Sequence, residues 1–464
     1  MIIKQLFLSL TLFGGLNLTA IISFNSPEEI LNQGIEFIEC AFCDINGKLR
    51  SVTIPAQELL SAAKDGLKFD SSSVPGCANV NNSDMHLKLD LNACIILPPA
   101  MRHYKTIMIM CDICISESEN YEGCTRNLLK KQRERLANID LQLNVGTELE
   151  FYILDSNNQT IDSDRYFDIS IDIETENSKQ LLLDTLIKAG IDAEKIHHEV
   201  GPGQYEVSFK YKDCVTTADN TLFAKYIISS IVKKLGARAT FMPKPIVNQN
   251  GNGMHVHYSL FDTINQHNVF YNEESNTKLS DLAQFFLAGN LKHMLEISAL
   301  LNPTINSYKR LVPCYEAPVY ICWGIKNRSA LIRIPLINAL QKEAVRAELR
   351  CPDASCNPYL TLAAIAASGI KGMQEQIGIS NPVTGNLYKL NEDQIKRMGI
   401  QTLHRSLEKA LISLNNSIFA EEFLGKKLLH EFARIKKAEL KSFDNRNHSS
   451  DENLITEWEI TRYL

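Results

Sequence analysis

Hydrophobic and polar residues alternate in short runs over the first quarter of the chain, which is the pattern of half-buried β-strands. The segment Asp44-Ile45-Asn46-Gly47 separates the first two runs and is typical of a hairpin turn. The elements predicted here are strands over Ile35–Asp44, Lys48–Ile54, Asp84–Asp90, Cys94–Leu97 and Lys105–Ile115, and a helix over Pro55–Gly66. The pattern therefore predicts a small α+β unit at the start of the chain.

The rest of the chain combines apolar spacings of three and four, which are typical of helices, with further strand-like runs. Gly190 is the last residue of one predicted helix and Gly236 directly follows another, and both favour helix termination. The predicted helices cover Cys124–Asn138, Ser178–Gly190, Thr217–Leu235, Leu279–Leu301, Pro358–Met373, Leu403–Asn416 and Glu421–Asp444. The predicted strands cover Asn144–Ile153, Thr240–Met242, a hairpin over Ile196–Phe209, and parts of residues 311–350.

The gross composition is that of an ordinary globular protein, with 464 residues, 45% of them hydrophobic and 22% charged. This length suits two or three domains, or one large catalytic domain with an appendage. The formal net charge of -6 lacks the basic signature of a nucleic-acid binder. We therefore expect no nucleic-acid partner.

Two Cys-x-x-Cys pairs occur among the twelve cysteines, at Cys40 and Cys43 and at Cys111 and Cys114. Such pairs can bind zinc. Both pairs, however, lie within strand-like runs, where residues three apart face opposite sides of a sheet. We therefore expect these cysteines to be small buried hydrophobic residues.

The first 24 residues contain one charge, Lys4, and an apolar run from Leu6 to Phe24. The lysine, the apolar core and Ala20 are typical of a secretory signal. Gly14 and Gly15 interrupt the apolar run, which argues against a membrane-spanning helix. The alternatives are an upstream extension of the reading frame and an apolar helix that docks on the fold. We treat residues 1–26 as an apolar leader or extension and expect no association with a membrane.

One stretch, Asn250–Ser259, combines a glycine turn with closely spaced histidines. Its two Asn-Gly steps predict a tight turn, because Asn and Gly tolerate positive φ. His255 and His257 then alternate with Met254 and Val256, so both imidazoles should share one face of a strand. The pattern indicates a turn that approaches a ligand, followed by two nitrogen ligands, although surface histidines after a hairpin turn remain an alternative.

Acidic residues are also paired on predicted strands. Glu148 and Glu150 alternate on one strand, and Glu199 and Glu206 flank a Gly-Pro-Gly turn. Carboxylates on one face repel each other unless a positive group lies between them, and a divalent cation is one such group. A solvated face paired with lysines is the alternative for any single pair, but several acidic sets together favour a metal site.

Five arginines are concentrated between residues 310 and 350, where their forked guanidinium groups could bind carboxylate or phosphate. The sequence has neither G-x-x-x-x-G-K-[ST] nor a strand-linked G-x-G-x-x-G. We therefore expect metal ions and arginines, rather than a glycine-rich phosphate loop, to hold any phosphate. The five residues are Arg310, Arg328, Arg333, Arg346 and Arg350.

Eight ordered segments resemble the type I glutamine synthetases, from roughly Pro27 to the C-terminus. They are Gly146–Phe151, His197–Glu206, Asn250–His255, Asn306–Arg310, Tyr315–Pro318, Asn327–Ser329, Ile332–Pro335 and Arg346–Arg350. The segment Phe69-Asp70-Ser71-Ser72-Ser73 adds a further match in the small unit. The resemblance implies an α+β fold with two domains. A small β-grasp-like domain over residues 27–118 would precede a catalytic domain over 119–464, built as an antiparallel sheet barrel with surrounding helices.

The resemblance also implies roles for individual residues. Two Mg²⁺ or Mn²⁺ ions would bind, one to Glu150, Glu199 and Glu206, the other to Glu148, His255 and Glu348. Glutamate would contact Asn250, Gly251, Arg310 and Arg350, while ATP would contact Glu194, His257, Ser259, Arg328, Arg333 and Arg346. Asp70 and Ser73, from a neighbouring subunit, would meet Tyr166 and Glu199 around ammonium, and Glu316 would lie on a flap over glutamate.

The implied reaction makes glutamine from glutamate, ammonium and ATP through γ-glutamyl phosphate. Asp70 would take a proton from ammonium, Arg328 would act in catalysis, and Glu316 would keep water from the acyl phosphate. The resemblance further implies a homo-oligomer, namely a double-ring dodecamer with active sites between subunits. We expect a cytoplasmic location because the chemistry needs a nucleotide found in the cytosol.

Three departures from the family pattern affect these expectations. Ser71 replaces the usual glycine of the small-domain loop, which could shift the amine site by removing access to positive φ. Glu343 stands where the family usually has a lysine, and the adjacent Lys342 could take the role of that lysine. Asn252 stands in place of a serine. Tyr388 resembles a tyrosine that some relatives nucleotidylate, but a structural tyrosine is favoured. The alternatives for function are a γ-glutamyl ligase acting on an organic amine or polyamine, and a non-catalytic ring protein of the same fold.

Overall fold

The structure is a computed structural model that describes residues 23–77, 83–312, 317–336, 339–446 and 454–464. The strands are β1 (Phe37–Cys43), β2 (Leu49–Pro55), β3 (Leu67–Asp70), β4 (Asp84–Leu97), β5 (Thr106–Cys114), β6 (Leu141–Leu154), β7 (Ala193–His198), β8 (Gln204–Phe209), β9 (Lys212–Asp213), β10 (Arg238–Thr240), β11 (Met254–Asp262), β12 (His267–Asn268), β13 (Tyr320–Ile325), β14 (Ala330–Ile334), β15 (Ala347–Leu349) and β16 (Gln401–Thr402).

The helices are α1 (Pro27–Leu31), α2 (Leu59–Asp65), α3 (Thr125–Ala137), α4 (Ile173–Lys188), α5 (Cys214–Lys234), α6 (Asp281–Lys292), α7 (Met294–Leu301), α8 (Ser307–Arg310), α9 (Pro358–Glu375), α10 (Glu392–Arg397), α11 (Leu407–Asn415), α12 (Ile418–Leu424), α13 (Lys426–Asp444) and α14 (Glu457–Tyr463). Short 3₁₀ turns cover Ala56–Glu58, Ala339–Ala344 and Leu387–Lys389. The predicted α+β class is confirmed.

The chain forms two compact units, each built from several chain segments. Of the described residues, those within 1–127, 150–210 and 219–240 form the first unit, and those within 128–149, 211–218 and 241–464 form the second. Strand β6 therefore begins in the second unit and ends in the first. The domain boundary between residues 118 and 119 remains a prediction.

The first unit contains a five-stranded sheet in the order β2-β1-β5-β4-β3. Strands β1 and β5 are parallel and the other neighbours are antiparallel. Ile38, Ile107 and Ile109 are fully buried in its core. The two strands predicted between Asp84 and Leu97 are one strand, whose register shifts between Leu89 and Cys94.

The four cysteines of the Cys-x-x-Cys pairs are buried in the first unit, which confirms the interpretation as small hydrophobic residues. Burial raises the pKa of the Cys43 and Cys111 thiols well above the ordinary range. Metal binding requires the thiolate form, which such burial disfavours. These cysteines therefore serve the core of the sheet.

The same unit contains the β7–β8 hairpin, in which His197 pairs with Glu206. The Gly-Pro-Gly turn joins the two strands, and Gly203 adopts a φ of 70°. A Cβ atom at Gly201 would lie 2.0 Å from the Tyr152 hydroxyl, so this glycine is required by close approach. The predicted hairpin is thus confirmed.

The sheet of the second unit has the order β16-β13-β14-β15-β11-β6, with β12 beside β11 and β9 beside β6. Its strands are antiparallel except for the parallel pair β13–β14. Met254, Val256 and Tyr258 are buried on one face of β11. The Tyr258 hydroxyl donates to Asn290 Oδ1 of α6 at 2.7 Å, which holds the strand against that helix.

Two predicted helices are each divided in the structure. The helix predicted over Leu279–Leu301 breaks at His293, whose ring stacks on Phe419 with centroids 4.0 Å apart. The helix predicted over Glu421–Asp444 instead forms α12 and α13, because Gly425 between them adopts a φ of 77°. The other predicted helices agree with the structure apart from their ends.

Candidate active site

Strand β11 presents two histidines from one face, as the alternation predicted. In its register with β6, His255 lies opposite Glu148, and in its register with β15, His257 lies opposite Glu348. His255 Nδ1 is 3.2 Å from Glu148 Oε2, and His257 Nε2 is 3.2 Å from Glu148 Oε1. Both imidazoles therefore contact the same carboxylate in the second unit.

Glu348 forms the other acidic centre of this cluster and is almost fully buried. It accepts hydrogen bonds from Arg333 Nη1 and, at 3.0 Å, from Arg350 Nε. Its Oε1 also lies 4.0 Å from His255 Nδ1. Two arginines thus compensate the buried charge, which would otherwise be costly.

The electrostatics keep both carboxyl groups ionised. Burial disfavours the charged form of Glu148, but its interactions with His255 and His257 outweigh this and hold its pKa well below the ordinary range. Burial likewise opposes ionisation of Glu348, and His257, His255, Arg350 and Arg333 together lower its pKa. Anionic oxygen ligands are what a hard divalent cation requires.

A second cluster lies on the β7–β8 hairpin of the first unit. His197 Nε2 is 3.4 Å from Glu199 Oε1, and His197 Nδ1 is 3.9 Å from Glu206 Oε1. The Ser208 hydroxyl donates to Glu206 Oε1 at 3.2 Å. Glu150 is buried in the same unit and accepts a hydrogen bond from Gln204 Nε2 at 3.4 Å.

Asp162 supports this hairpin through three groups. Its Oδ1 accepts hydrogen bonds from the Gly203 N–H at 2.7 Å and interacts with His198 Nε2 at 2.9 Å, while its Oδ2 accepts one from Tyr205. Burial alone would lower the pKa of His198, but Asp162 raises it. The carboxylate of Asp162 therefore ties both strands and the turn together.

Both clusters fit a metal ion by their donor atoms. One ligand atom each from Glu148, His257 and Glu348, and likewise from His197, Glu199 and Glu206, lie within 4.8 Å of one another. Within the described residues, the buried His197 Nδ1 neither accepts nor donates a hydrogen bond, and the 3.2 Å contact of His257 Nε2 with Glu148 lacks hydrogen-bond geometry. The carboxylate oxygens of both clusters are suitable ligands for Mg²⁺ or Mn²⁺.

The glycine loop of the second unit depends on close approach rather than on positive φ, which corrects our expectation for Gly251. A Cβ atom there would lie 2.4 Å from the Pro243 carbonyl oxygen and 2.7 Å from Arg310 Cγ, and its φ is not positive. Asn250 is half-buried beside it. Arg310 is buried, and its Nη1 and Nη2 donate to the carbonyls of Cys351 at 2.8 Å and Arg350 at 3.3 Å.

The residues expected to contact ATP lie in both units. Arg346 is exposed and donates from Nε to His257 Nδ1 at 3.2 Å, while Ser259 is half-buried on the histidine face of β11. Arg328 is exposed, and its carbonyl accepts from Arg350. Glu194 is exposed on β7 of the first unit.

Asp70, Ser73 and Tyr166, the residues expected around ammonium, belong to the first unit and are exposed in the single chain. The Ser72 N–H donates to Asp70 Oδ1 at 2.8 Å, and this bond lowers the pKa of Asp70. Ser71 is buried, and its φ is not positive. Serine in place of glycine therefore causes no backbone strain at this position.

The remaining expectations concern the flap residue, the N-terminal leader, Lys342, Tyr388 and the membrane. Glu316 lies outside the described residues, as do residues 1–22 of the expected leader. Lys342 pairs with Glu273 at 3.0 Å. Tyr388 is half-buried, with its ring 6.4 Å from that of Tyr320. Among the described residues, no helix has the length and apolar character needed to cross a membrane.

Sequence reasoning did not identify His197 or Asp162. The alternation of His197 and Glu199 on a strand could have indicated a shared face, because residues two apart point the same way. Asp162 lies in a polar stretch with several aspartates and carries no distinguishing local signal. Its partners are 36 to 43 residues away, so only the fold identifies it.

Known proteins are similar to this chain in both sequence and fold. The family model for the glutamine synthetase β-grasp domain matches residues 34–116, and that for the glutamine synthetase catalytic domain matches residues 122–463. Two solved structures titled "GmaS/ADP complex-Conformation 1" and "Apo GmaS without ligand" superpose with a TM-score of 0.82 at 27% and 28% identity. They cover 96% and 94% of this chain, which in turn spans 99% and 98% of theirs.

Curated relatives named glutamine synthetase are similar over almost the whole chain. Those from Methanosarcina mazei and Thermotoga maritima are 36% and 37% identical, each over 94% of this chain and over 96% and 98% of their own lengths. The relative from Thermococcus kodakarensis is 39% identical over 92% of this chain and 95% of its own. The chain therefore belongs to the glutamine synthetase family.

Proposed function

We propose that this chain ligates ammonium to L-glutamate, with ATP as co-substrate, and releases L-glutamine, ADP and phosphate through γ-glutamyl phosphate. The observation that carries this proposal is the pair of carboxylate–imidazole clusters, around Glu148 and Glu348 and around Glu199 and Glu206. Phosphoryl transfer depends chiefly on positioned positive charge. The two clusters supply sites for that charge, and the family supplies the substrate class.

In the proposed arrangement Glu148, His255 and Glu348 hold one Mg²⁺ or Mn²⁺ ion, and Glu150, Glu199 and Glu206 hold the other. His197 is a further candidate ligand because its Nδ1 is buried and faces the carboxylate of Glu206. When bound, these ions neutralise negative charge on the transferring phosphoryl group. Their retention depends on carboxylates that stay ionised at neutral pH.

Glutamate binds beside Asn250 and Gly251, with Arg310 and Arg350 as the guanidinium partners of its carboxylates. Both arginines are buried and fixed by backbone carbonyl acceptors, so they present their remaining donors in a defined direction. Gly251 keeps the backbone close to Arg310. Such a rigid site orients the γ-carboxylate for attack on ATP.

ATP is held by Glu194, His257, Ser259, Arg328, Arg333 and Arg346. Arg346 already donates to His257, so the two residues can orient each other before the nucleotide binds. Arg328 is exposed and stabilises charge that develops on the phosphoryl oxygens. These assignments require no glycine-rich phosphate loop.

Ammonium binds among Asp70, Ser73, Tyr166 and Glu199, with Asp70 and Ser73 supplied by a neighbouring subunit of a double-ring dodecamer. The lowered pKa of Asp70 keeps its carboxylate ionised, so it can accept a proton from ammonium. The free ammonia then attacks the γ-carbonyl carbon of the acyl phosphate, displaces inorganic phosphate and loses one proton, while Glu316 excludes water. We propose a cytoplasmic location, a small domain over residues 27–118 and a catalytic domain over 119–464.

Phosphate release from ATP tests this proposal when glutamate is combined with ammonium or with a panel of amines and polyamines. We expect the fastest release with ammonium, and glutamine as the product by mass spectrometry. Faster release with any amine would instead identify a ligase for that amine. Rings that release no phosphate under any condition would identify a non-catalytic protein.

A further inference from the structure

The last helix, α14, carries a carboxylate that is completely buried in the second unit. Glu459 has a relative exposure of 0%. Its Oε2 accepts hydrogen bonds from the N–H and hydroxyl of Thr456, at 2.8 and 2.9 Å, and from Lys309 Nζ at 2.5 Å. Its Oε1 accepts one from Asn306 Nδ2 at 3.0 Å. A buried carboxylate is tolerated only with partners of this kind.

Asn306 links Glu459 to a second segment of the chain. Its Nδ2 also donates to the Lys244 carbonyl at 3.1 Å, and its Oδ1 accepts from the Lys244 N–H at 2.6 Å. Both amide protons and the amide oxygen of Asn306 are therefore engaged. Because Asn306 is fully buried, its orientation is fixed by Glu459 on one side and Lys244 on the other.

Lys244 connects Asn306 to the glycine loop at Asn250 and Gly251. Its ammonium group donates to the carbonyl of Gln249, the residue directly before Asn250 and Gly251. Burial, together with the charge of Arg310, lowers the pKa of Lys244 to about 8. The neighbouring Pro243 carbonyl accepts from the Asn252 N–H at 2.7 Å, so the loop is held at both ends.

We infer that Glu459 is a positioning residue for glutamate binding, acting through Asn306 and Lys309 on the two parts of the proposed glutamate site. One part is Arg310, the residue after Lys309, and the other is the Asn250–Gly251 loop. The inference rests on the proposed function, because it assigns glutamate to this site. It goes beyond that function by giving the C-terminal helix a role in substrate affinity.

Steady-state kinetics of Glu459→Ala and Glu459→Gln test the inference, with Glu457→Ala as the matched control. Glu457 is on the same helix but exposed. We expect Glu459→Ala to raise the KM for glutamate about tenfold or more, since small misplacement of a binding group is costly. The KM for ATP should change less than about twofold, and Glu459→Gln, which keeps an acceptor for Asn306, should fall between Glu459→Ala and wild type.

The same variants are compared by thermal unfolding and by hydrogen exchange of peptides covering residues 241–252. Faster exchange there in Glu459→Ala, but not in Glu457→Ala, supports the inference independently of turnover. An unchanged KM for glutamate, or equal rises in both KM values with a lower Tm, would overturn it. Wild-type protein that releases no phosphate with glutamate would count against the proposed function, while unchanged exchange in Glu459→Ala would count against the positioning role alone.

Discussion

His198 Nε2 lies 2.9 Å from Asp162 Oδ1, an oxygen that also accepts the Gly203 N–H at 2.7 Å. Tyr205 donates to the other oxygen of the same carboxylate. Asp162 therefore joins β7, the turn and β8, the segments that hold His197, Glu199 and Glu206. Removing it leaves three buried donors without their acceptor, which costs about 1–3 kcal/mol for each unsatisfied group.

We expect Asp162→Ala to weaken Mn²⁺ binding at the cluster on the β7–β8 hairpin by about tenfold to a hundredfold. Loss of a residue that orients metal ligands commonly lowers metal affinity by that factor. Isothermal titration of Mn²⁺ measures this directly. Asp168→Ala is the control, because Asp168 is exposed and its carboxylate accepts a hydrogen bond from the Arg165 N–H at 2.9 Å. Equal Mn²⁺ affinity in wild type and Asp162→Ala would show that the carboxylate does not position the ligands.

Divalent cations should stabilise the protein as well as activate it. A ligand that binds only the folded state at a hundredfold over its Kd adds about 2.7 kcal/mol of stability. We therefore expect Mg²⁺ or Mn²⁺ to raise the Tm, and chelation to lower it and abolish phosphate release. His197→Ala should reduce the number of bound Mn²⁺ ions or their affinity, and a Tm indifferent to both cations would contradict the assignment of the clusters.

Gly251→Ala should damage glutamate binding. The added methyl group would meet the Pro243 carbonyl at 2.4 Å and Arg310 Cγ at 2.7 Å. We expect a loss of about 1–3 kcal/mol in unfolding free energy, which is typical of overpacking, and a higher KM for glutamate. Gly378→Ala is the control, because a methyl group there would have no atom of the described residues within 4 Å, apart from its own chain neighbours. Kinetics identical to wild type would show that the loop tolerates the displacement.

Lys244 should make the unfolding free energy depend on pH. Its pKa of about 8 in the folded state is below the ordinary value of about 10.4, so the unfolded chain binds more protons between these values. Stability contributed by this group therefore rises with pH between about 8 and about 10. In denaturant unfolding, the unfolding free energy of wild type should show this rise and that of Lys244→Met should not. The variant Lys396→Met, at an exposed lysine, should follow wild type.

The periodicity of the sequence predicted most elements because the strands and helices that face a core have regular apolar spacing. It did not predict the break at Gly425, since the apolar spacing continues across the two helices and only the backbone conformation changes. It also missed α14, which is short and follows a polar stretch. The position of such a helix depends on distant partners rather than on its own periodicity.

The site was predicted in part for the same physical reason. Alternation placed His255 and His257 on one face, and the structure brings both to Glu148. Local spacing cannot reveal groups that meet across long separations, such as Asp162 with His198 or Glu459 with Asn306. Those supporting contacts become visible only when the fold is known.

The contact between Asn306 and Glu459 spans 153 positions of the chain. During synthesis the Asn306 amide therefore cannot meet its acceptor until the chain has left the ribosome at least as far as Glu459. A product that stops before α14 would keep every catalytic residue proposed above. It would nevertheless lack the carboxylate that orients Asn306, so synthesis of α14 would decide whether the proposed glutamate site is completed.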